Sequence, residues 1–198
     1  MNFKLVECFR SIQGEGILAG YVATFVRFME CNLRCEFCDT YLGVYSLLTM
    51  KELISLIVKT AGKCPEIVFT GGEPLLQEDL PELASILVGK GFHLHLETNG
   101  TLPLGAMKGL LRGVSMSPKV PRKDIKIKEC TSLKILYPYY NGVVADDFQD
   151  YPAVEKSLQV ISPELAKPGF FEKAIKECVC LGQHWKLGVQ LHKFIGVK

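Results

Sequence analysis

Four short apolar runs in this chain end alike, in a turn of small or polar residues. Ala23–Met29, alternating and rich in β-branched and aromatic side chains, runs directly into the loop that holds Cys31. Glu66–Thr70 ends at Gly71 and Gly72, His93–Glu97 at Thr98, Asn99 and Gly100, and Gly113–Met116 at Ser117, Pro118 and Lys119. Helical patterns lie between them. Thr49 and Glu52 make a capping box ahead of Leu53, Ile54, Leu56 and Ile57, whose spacing gives one apolar face; Asp79, Pro81 and Glu82 open a second helix. Strands joined through helices run parallel, and right-handed crossovers put successive loops on one face of the sheet. Ligands gather outside the carboxyl ends of such strands, so these polar turns predict one functional face.

The fold class predicted is α/β with a mainly parallel sheet. A closed eight-unit barrel takes about 250 residues; with 198 residues the expectation is an open, partial β/α barrel in a single domain, 1–198. Ser132–Tyr137 and Leu158–Ile161 read as later strands, Phe170–Leu181 as a helix and Tyr139–Tyr151 as loop. No repeat, low-complexity tract or linker divides the chain. A formal charge of +2 lacks the excess of a dedicated nucleic-acid binder, so no direct nucleic-acid contact is expected. The N-terminus has no apolar signal region, and no stretch approaches the roughly 18 apolar residues a membrane span takes. The expectation is a cytoplasmic protein without membrane contact.

Eight cysteines without an export signal favour a metal or cluster site over a disulfide scaffold. Cys31, Cys35 and Cys38 follow a C-x3-C-x2-C spacing that can direct three thiolates at one cluster and leave one iron open. Electron-transfer clusters mostly use four protein cysteines, so an open iron points to chemistry. The alternative is a zinc site completed by His93 or Cys64. Gly71 and Gly72 allow close backbone approach, and Glu73 ahead of Pro74 can receive an ammonium group, although a Gly-Gly turn alone is often only a connection. Cys64, Cys130, Cys178 and Cys180 make no second cluster pattern and read as structural or incidental thiols.

The cysteine motif resembles the signature of the radical S-adenosylmethionine superfamily. That resemblance implies a 4Fe-4S cluster whose open iron binds S-adenosyl-L-methionine, and a 5'-deoxyadenosyl radical that abstracts hydrogen, so that the cofactor rather than a protein side chain carries the catalysis. It implies cofactor contacts from Phe37, Cys38, Asp39, Gly72, Glu73, Ser117, Pro118 and Lys119. Phe37 takes the place of an aromatic beside adenine, against a plain packing role. Glu97 and Asn99 order the same pocket or simply end a strand.

A narrower resemblance runs through Ser11–Gly16, Arg27, Cys38–Thr40, Glu97–Thr101, Ser117–Lys119 and Gln190–Lys193, almost the whole chain. These segments are similar to the 7-carboxy-7-deazaguanine synthase family. The family reaction is a carbon-nitrogen lyase ring contraction of 6-carboxy-5,6,7,8-tetrahydropterin with loss of ammonia, on the queuosine route of tRNA modification. In it, hydrogen leaves C6 and later returns to regenerate S-adenosyl-L-methionine. The resemblance implies substrate contacts from Ile12, Gln13, Gly14, Arg27, Thr70, His192 and the terminal Lys198, and Mg2+ at Thr40. It further implies a homodimer with a flavodoxin or ferredoxin as reductant. At the late strand, Ser162 stands before Pro163 where relatives commonly carry glutamine. The alternatives are an activating enzyme for a glycyl-radical partner, which shares the cluster motif, and a non-enzymatic zinc-binding module.

Overall fold

The computed structural model describes residues 2–38, 40, 43–161 and 168–198. Its elements are β1 (Asn2–Ile12), β2 (Val22–Phe28), β3 (Ser46–Thr49), α1 (Met50–Ala61), β4 (Glu66–Gly71), α2 (Leu80–Gly89), β5 (His93–Thr98), β6 (Leu111–Met116), β7 (Cys130–Tyr137), β8 (Ala153–Val160), α3 (Phe170–Leu181), β9 (Trp185–Gly188) and α4 (Leu191–Phe194). The hydrogen-bonding order begins at β3 and ends at β9, so the sheet is open, and the pairs from β2 onward that the structure defines are parallel. The expected fold class is the one found. Two compact units share the chain, one of Met1–Ser11, Val22–Thr98 and Pro103–Val114, the other of Ile12–Tyr21, Asn99–Leu102 and Ser115–Lys198.

In the first unit the order is β3-β1-β2-β4-β5, with β3 antiparallel to β1. The parallel strands β2, β4 and β5 are buried on both faces along most of their length, as strands under helices must be. Val26, Phe28, Ile67, Phe69, Leu94 and Leu96 share a core with Leu53 and Ile57 of α1 and Leu83 and Leu87 of α2. Each such side chain stabilises the fold by about 1.5–3 kcal/mol on burial. On the opposite face Ala23, Phe25 and Val68 form a small apolar cluster with Phe9, whose ring stacks on Phe25 at 5.2 Å. The capping box of α1 is present in full: Glu52 N–H donates to Thr49 Oγ1, and Thr49 N–H to Glu52 Oε2 at 2.8 Å. Asp79 precedes α2 as expected, but its side chain caps nothing.

In the second unit β7, β8 and β9 follow the end of β6 in parallel register, with Ser115 beside Ser132, Lys134 beside Ser157, and Gln159 beside Gly188. Strand alternation separates two faces. One is apolar, and Val160 packs there against Phe170 and Ala174 of α3. The other buries Ser132, Lys134, Ser157 and Gln159. β8 begins at Ala153 rather than Leu158 because its early residues alternate Glu155 and Ser157 into that polar face, which hides the strand from a hydrophobicity reading. Tyr139–Tyr151 is loop, with one short 3-10 turn at Ala145–Phe148.

Candidate active site

The first unit builds a site mainly from backbone. As β2 ends, the chain passes through Glu30 at φ 73, a left-handed conformation costly for a side-chain-bearing residue. That conformation is tied down by the turn after β4. Gly72 N–H donates to Phe28 O at 3.1 Å and Glu73 N–H to Glu30 O at 2.8 Å. A Cβ on Gly72 would lie 1.9 Å from Glu30 O and 2.9 Å from Cys31 Cβ, and one on Gly71, at φ 130, would lie 2.1 Å from Phe28 O. The two glycines therefore permit the cysteine loop to lie against β4. Beyond it, Leu33 N–H donates to Cys31 Sγ at 3.4 Å and Cys38 N–H to Cys35 O at 3.2 Å.

Glu73 is fully buried. Its carboxylate accepts the Thr98 hydroxyl at 3.0 and 2.9 Å and the Leu75 N–H at 3.2 Å, so it is oriented from the ends of both β4 and β5. A fixed buried carboxylate is a suitable seat for an ammonium group. Arg27 and Thr70 are register partners on β2 and β4 and so share one face, above the apolar cluster of Phe25 and Val68. Arg27 donates from Nε to Glu7 at 2.8 Å and from Nη1 to the Thr40 hydroxyl at 3.4 Å. Arg27 is thus ion-paired with Glu7, and the pair leaves further guanidinium N–H groups for a second anion. Phe37 lies in the cysteine loop; Asp39 lies outside the described residues, as do Ser162 and Pro163.

The second unit gathers another set from side chains. Ser117 donates to Lys134 O at 3.1 Å, while Lys119 curls back to Ser117, 2.8 Å from its carbonyl and 2.6 Å from its hydroxyl, with Pro118 buried between them. Gln13 is buried next to Gly14, whose missing Cβ would fall 1.9 Å from His192 Nδ1. Leu191 N–H donates to Gly14 O at 3.0 Å, which fastens the C-terminal segment to that turn. Lys198 is exposed, and Ile12 is half-buried where β1 ends. Asn99 accepts from Thr101 N–H at 2.9 Å and from its hydroxyl at 2.6 Å, the strand-ending turn.

Sequence reasoning assigned no role to Thr98, Glu7, Lys134, Glu15 or Gln159. Lys134 pairs with Glu15 at 2.6 Å, with side chains only 5% and 16% exposed. Burial pushes the Glu15 carboxyl up, but the Lys134 ammonium, hydrogen bonds from Lys134 and Gln190, and the charge of His192 outweigh it and hold the group below its usual value. Both amide atoms of Gln159 are buried without a hydrogen-bond partner among the described residues, which marks a place where a ligand or water is wanted. The available signal was a lysine and a glutamine inside strands, on the face opposite the apolar one.

The donor set suits the cluster better than zinc. Among the described residues no group of three His, Cys, Asp or Glu side chains is gathered as a metal site, the three cysteines included; their thiols, none in a disulfide, follow one another along a single loop. The proposed fourth zinc ligands are engaged elsewhere: His93 Nδ1 lies 2.8 Å from Glu66, and Cys64 Sγ donates to Val22 O at 3.3 Å. Three thiols with one open position, a loop cradled on glycine and an oriented carboxylate fit an iron-sulfur cluster that binds an amino acid cofactor.

A family model for the radical SAM superfamily matches residues 26–131, from β2 through the cysteine loop and the turns after β4, β5 and β6. The chain is therefore a radical S-adenosylmethionine protein. A 7-carboxy-7-deazaguanine synthase of Bacteroides thetaiotaomicron is 33% identical, covering 100% of both chains, and one of Synechocystis is 30% identical over 100% of this chain and 95% of that protein. The crystal structure of QueE from Escherichia coli matches with a TM-score of 0.70 at 24% identity, over 97% of this chain and 95% of that one. The chain belongs to the 7-carboxy-7-deazaguanine synthase family.

Proposed function

We infer that this protein is a carbon-nitrogen lyase that contracts the ring of 6-carboxy-5,6,7,8-tetrahydropterin to 7-carboxy-7-deazaguanine with release of ammonia. The observation that carries the reading is end-to-end likeness to synthases of that name, in a chain whose cysteine loop is seated on the Gly71-Gly72 turn. With its 4Fe-4S cluster, bound S-adenosyl-L-methionine supplies a 5'-deoxyadenosyl radical for hydrogen abstraction. Cys31, Cys35 and Cys38 would hold the cluster. Glu73, oriented by Thr98, receives the methionine ammonium, the Gly72 backbone lies alongside, and Phe37 and Asp39 together with Ser117, Pro118 and Lys119 contact the rest of the cofactor.

Arg27 holds the substrate carboxylate through guanidinium groups that Glu7 leaves available, with Thr70 on the same sheet face. Mg2+ at Thr40 would have this guanidinium as a neighbour, an unfavourable arrangement unless an anion lies between them. Thr40 would hold the ion, and the substrate carboxylate bound by Arg27 would supply the negative charge that offsets the two cations. Ile12, Gln13, Gly14, His192 and Lys198 read the pterin, and 1–198 acts as one radical SAM domain. The protein works as a cytoplasmic homodimer fed by a flavodoxin or ferredoxin and touches neither nucleic acid nor membrane; no described helix is long and apolar enough to span a bilayer.

The test is an anaerobic incubation of reconstituted protein with dithionite, S-adenosyl-L-methionine, Mg2+ and the tetrahydropterin, read by mass spectrometry. Formation of 7-carboxy-7-deazaguanine is expected. Cleavage of S-adenosyl-L-methionine with no product from the pterin would sink the substrate assignment and favour an activating enzyme that needs a protein partner.

A further inference from the structure

A buried ion pair ties the turn after β1 to β7, and the C-terminal segment reaches the same carboxylate. Lys134 projects from β7 into the polar face and is 4% exposed, deeper than any other charged residue described except Glu73. Leaving either partner of such a pair uncompensated is strongly destabilising, so the pair constrains whatever carries its partner. Its partner Glu15 sits in the Gln13–Gly16 turn, whose first residue is held by Gln13 N–H donating to Tyr21 O and Gly20 N–H to Gln13 O, both at 2.8 Å, while Glu15 itself is tied to the sheet by Lys134. Glu15 N–H donates to Gln13 Oε1 at a long 3.3 Å, and the turn passes through Gly16 at φ 66, where a Cβ would come within 3.0 Å of Ser132 Oγ. Ser132 in turn accepts from Ile17 N–H at 3.0 Å.

Glu15 also accepts a hydrogen bond from Gln190, and His192 stands near enough to act on its charge. Leu191 N–H bonds Gly14 O at 3.0 Å, and no side chain on Gly14 would leave room for the His192 ring. Past His192, Ile195 N–H donates to Leu191 O at 3.1 Å and Val197 N–H to His192 O at 3.0 Å. The side chains proposed to read the pterin, Gln13 and His192, thus stand on two segments that meet at Glu15, and Glu15 is anchored to the sheet by Lys134.

We propose that Lys134 is a positioning residue: through Glu15 it clasps the Gln13–Gly16 turn and the 190–198 segment together, so that substrate binding depends on a lysine that acts through another side chain. The inference rests on the synthase reading for its effect on substrate but not for the clasp itself. In the wild-type protein the two segments open as one, so peptides covering residues 13–16 and 190–195 share one opening free energy in hydrogen-deuterium exchange. In Lys134→Met both peptides exchange about tenfold faster. The KM for the tetrahydropterin rises about tenfold while kcat stays within about threefold and the KM for S-adenosyl-L-methionine holds. Lys134→Arg keeps the charge and restores both readouts.

Three results would overturn the proposal. Wild-type peptides that open with free energies differing by more than about 1.4 kcal/mol, a tenfold ratio, would show two independent segments. Lys134→Met that leaves exchange in either segment unchanged would show that the pair holds nothing. A fall in kcat at constant KM would make Lys134 part of the chemistry. If Lys134→Met fails to fold, the wild-type exchange comparison decides alone. If no product forms from the pterin at all, the synthase reading fails while exchange still decides the clasp.

Discussion

The two units bring functional groups together by opposite means. In the first, the decisive atoms are backbone: Gly72 N–H on Phe28 O and Glu73 N–H on Glu30 O hold the cysteine loop, and glycine is required because any Cβ would collide. Apart from the three cysteines and the polar group of Arg27, Thr40, Thr70 and Glu73, its buried side chains mostly serve an apolar core beneath α1 and α2. In the second, the working face is a sheet surface of buried polar side chains, Ser132, Lys134, Ser157 and Gln159, held by pairing with one another, with loops or with nothing described. The lesson concerns tolerance. A backbone-built site fails abruptly when a glycine gains a side chain, whereas a site built from side chains loses function by degrees.

The comparison breaks most easily at the cysteines. Cys35→Ala should remove cluster absorbance and lower kcat by about 10³-fold or more, against no change for Cys180→Ala, an exposed thiol on α3. Gly72→Ala comes next: the 1.9 Å approach to Glu30 O should cost about 2–4 kcal/mol in urea unfolding and displace the cysteine loop. A stability within about 0.5 kcal/mol of the parent would end the backbone account. Thr98→Val should cost about 1–3 kcal/mol, because a buried carboxylate loses a donor that serves both its oxygens, and should raise the KM for S-adenosyl-L-methionine.

The smallest effect lies at the start of β4 and β5. Burial pushes the Glu66 carboxyl up, but hydrogen bonds from His93 and His95 outweigh it and hold the group below its ordinary value of 4.5. A carboxyl depressed in the folded state contributes stability that is present above 4.5 and is lost as pH falls through the folded value. Glu66→Gln should therefore lower stability near neutral pH and flatten the acid limb below 4.5, measured by urea unfolding across pH. An acid limb unchanged from the parent would remove Glu66 from the account.

In the first unit β2, β4, β5 and both helices were legible in the sequence, whereas β1 and β3 were not read. The strand at Glu66, the capping box at Thr49 and the glycine pair are local signals, and the structure realises each within a residue or two. Phe170–Leu181 was equally plain as α3. The second unit was less so, because a strand with one polar buried face carries little hydrophobic signal: β8 was read at half its length and β9 was not read. Lys134 escaped for the same reason. A charged residue inside a strand looks like a solvated position until register sets it beside Ser157 and the turn supplies Glu15. Arg27 and Thr70 were named separately, and only the β2–β4 register makes them neighbours.

The most direct test uses the substrate labelled with deuterium at C6, incubated anaerobically with the reconstituted enzyme, reductant, Mg2+ and unlabelled S-adenosyl-L-methionine. The account predicts 7-carboxy-7-deazaguanine together with deuterium in the recovered S-adenosyl-L-methionine. Accumulation of unlabelled 5'-deoxyadenosine with the pterin unchanged would contradict it.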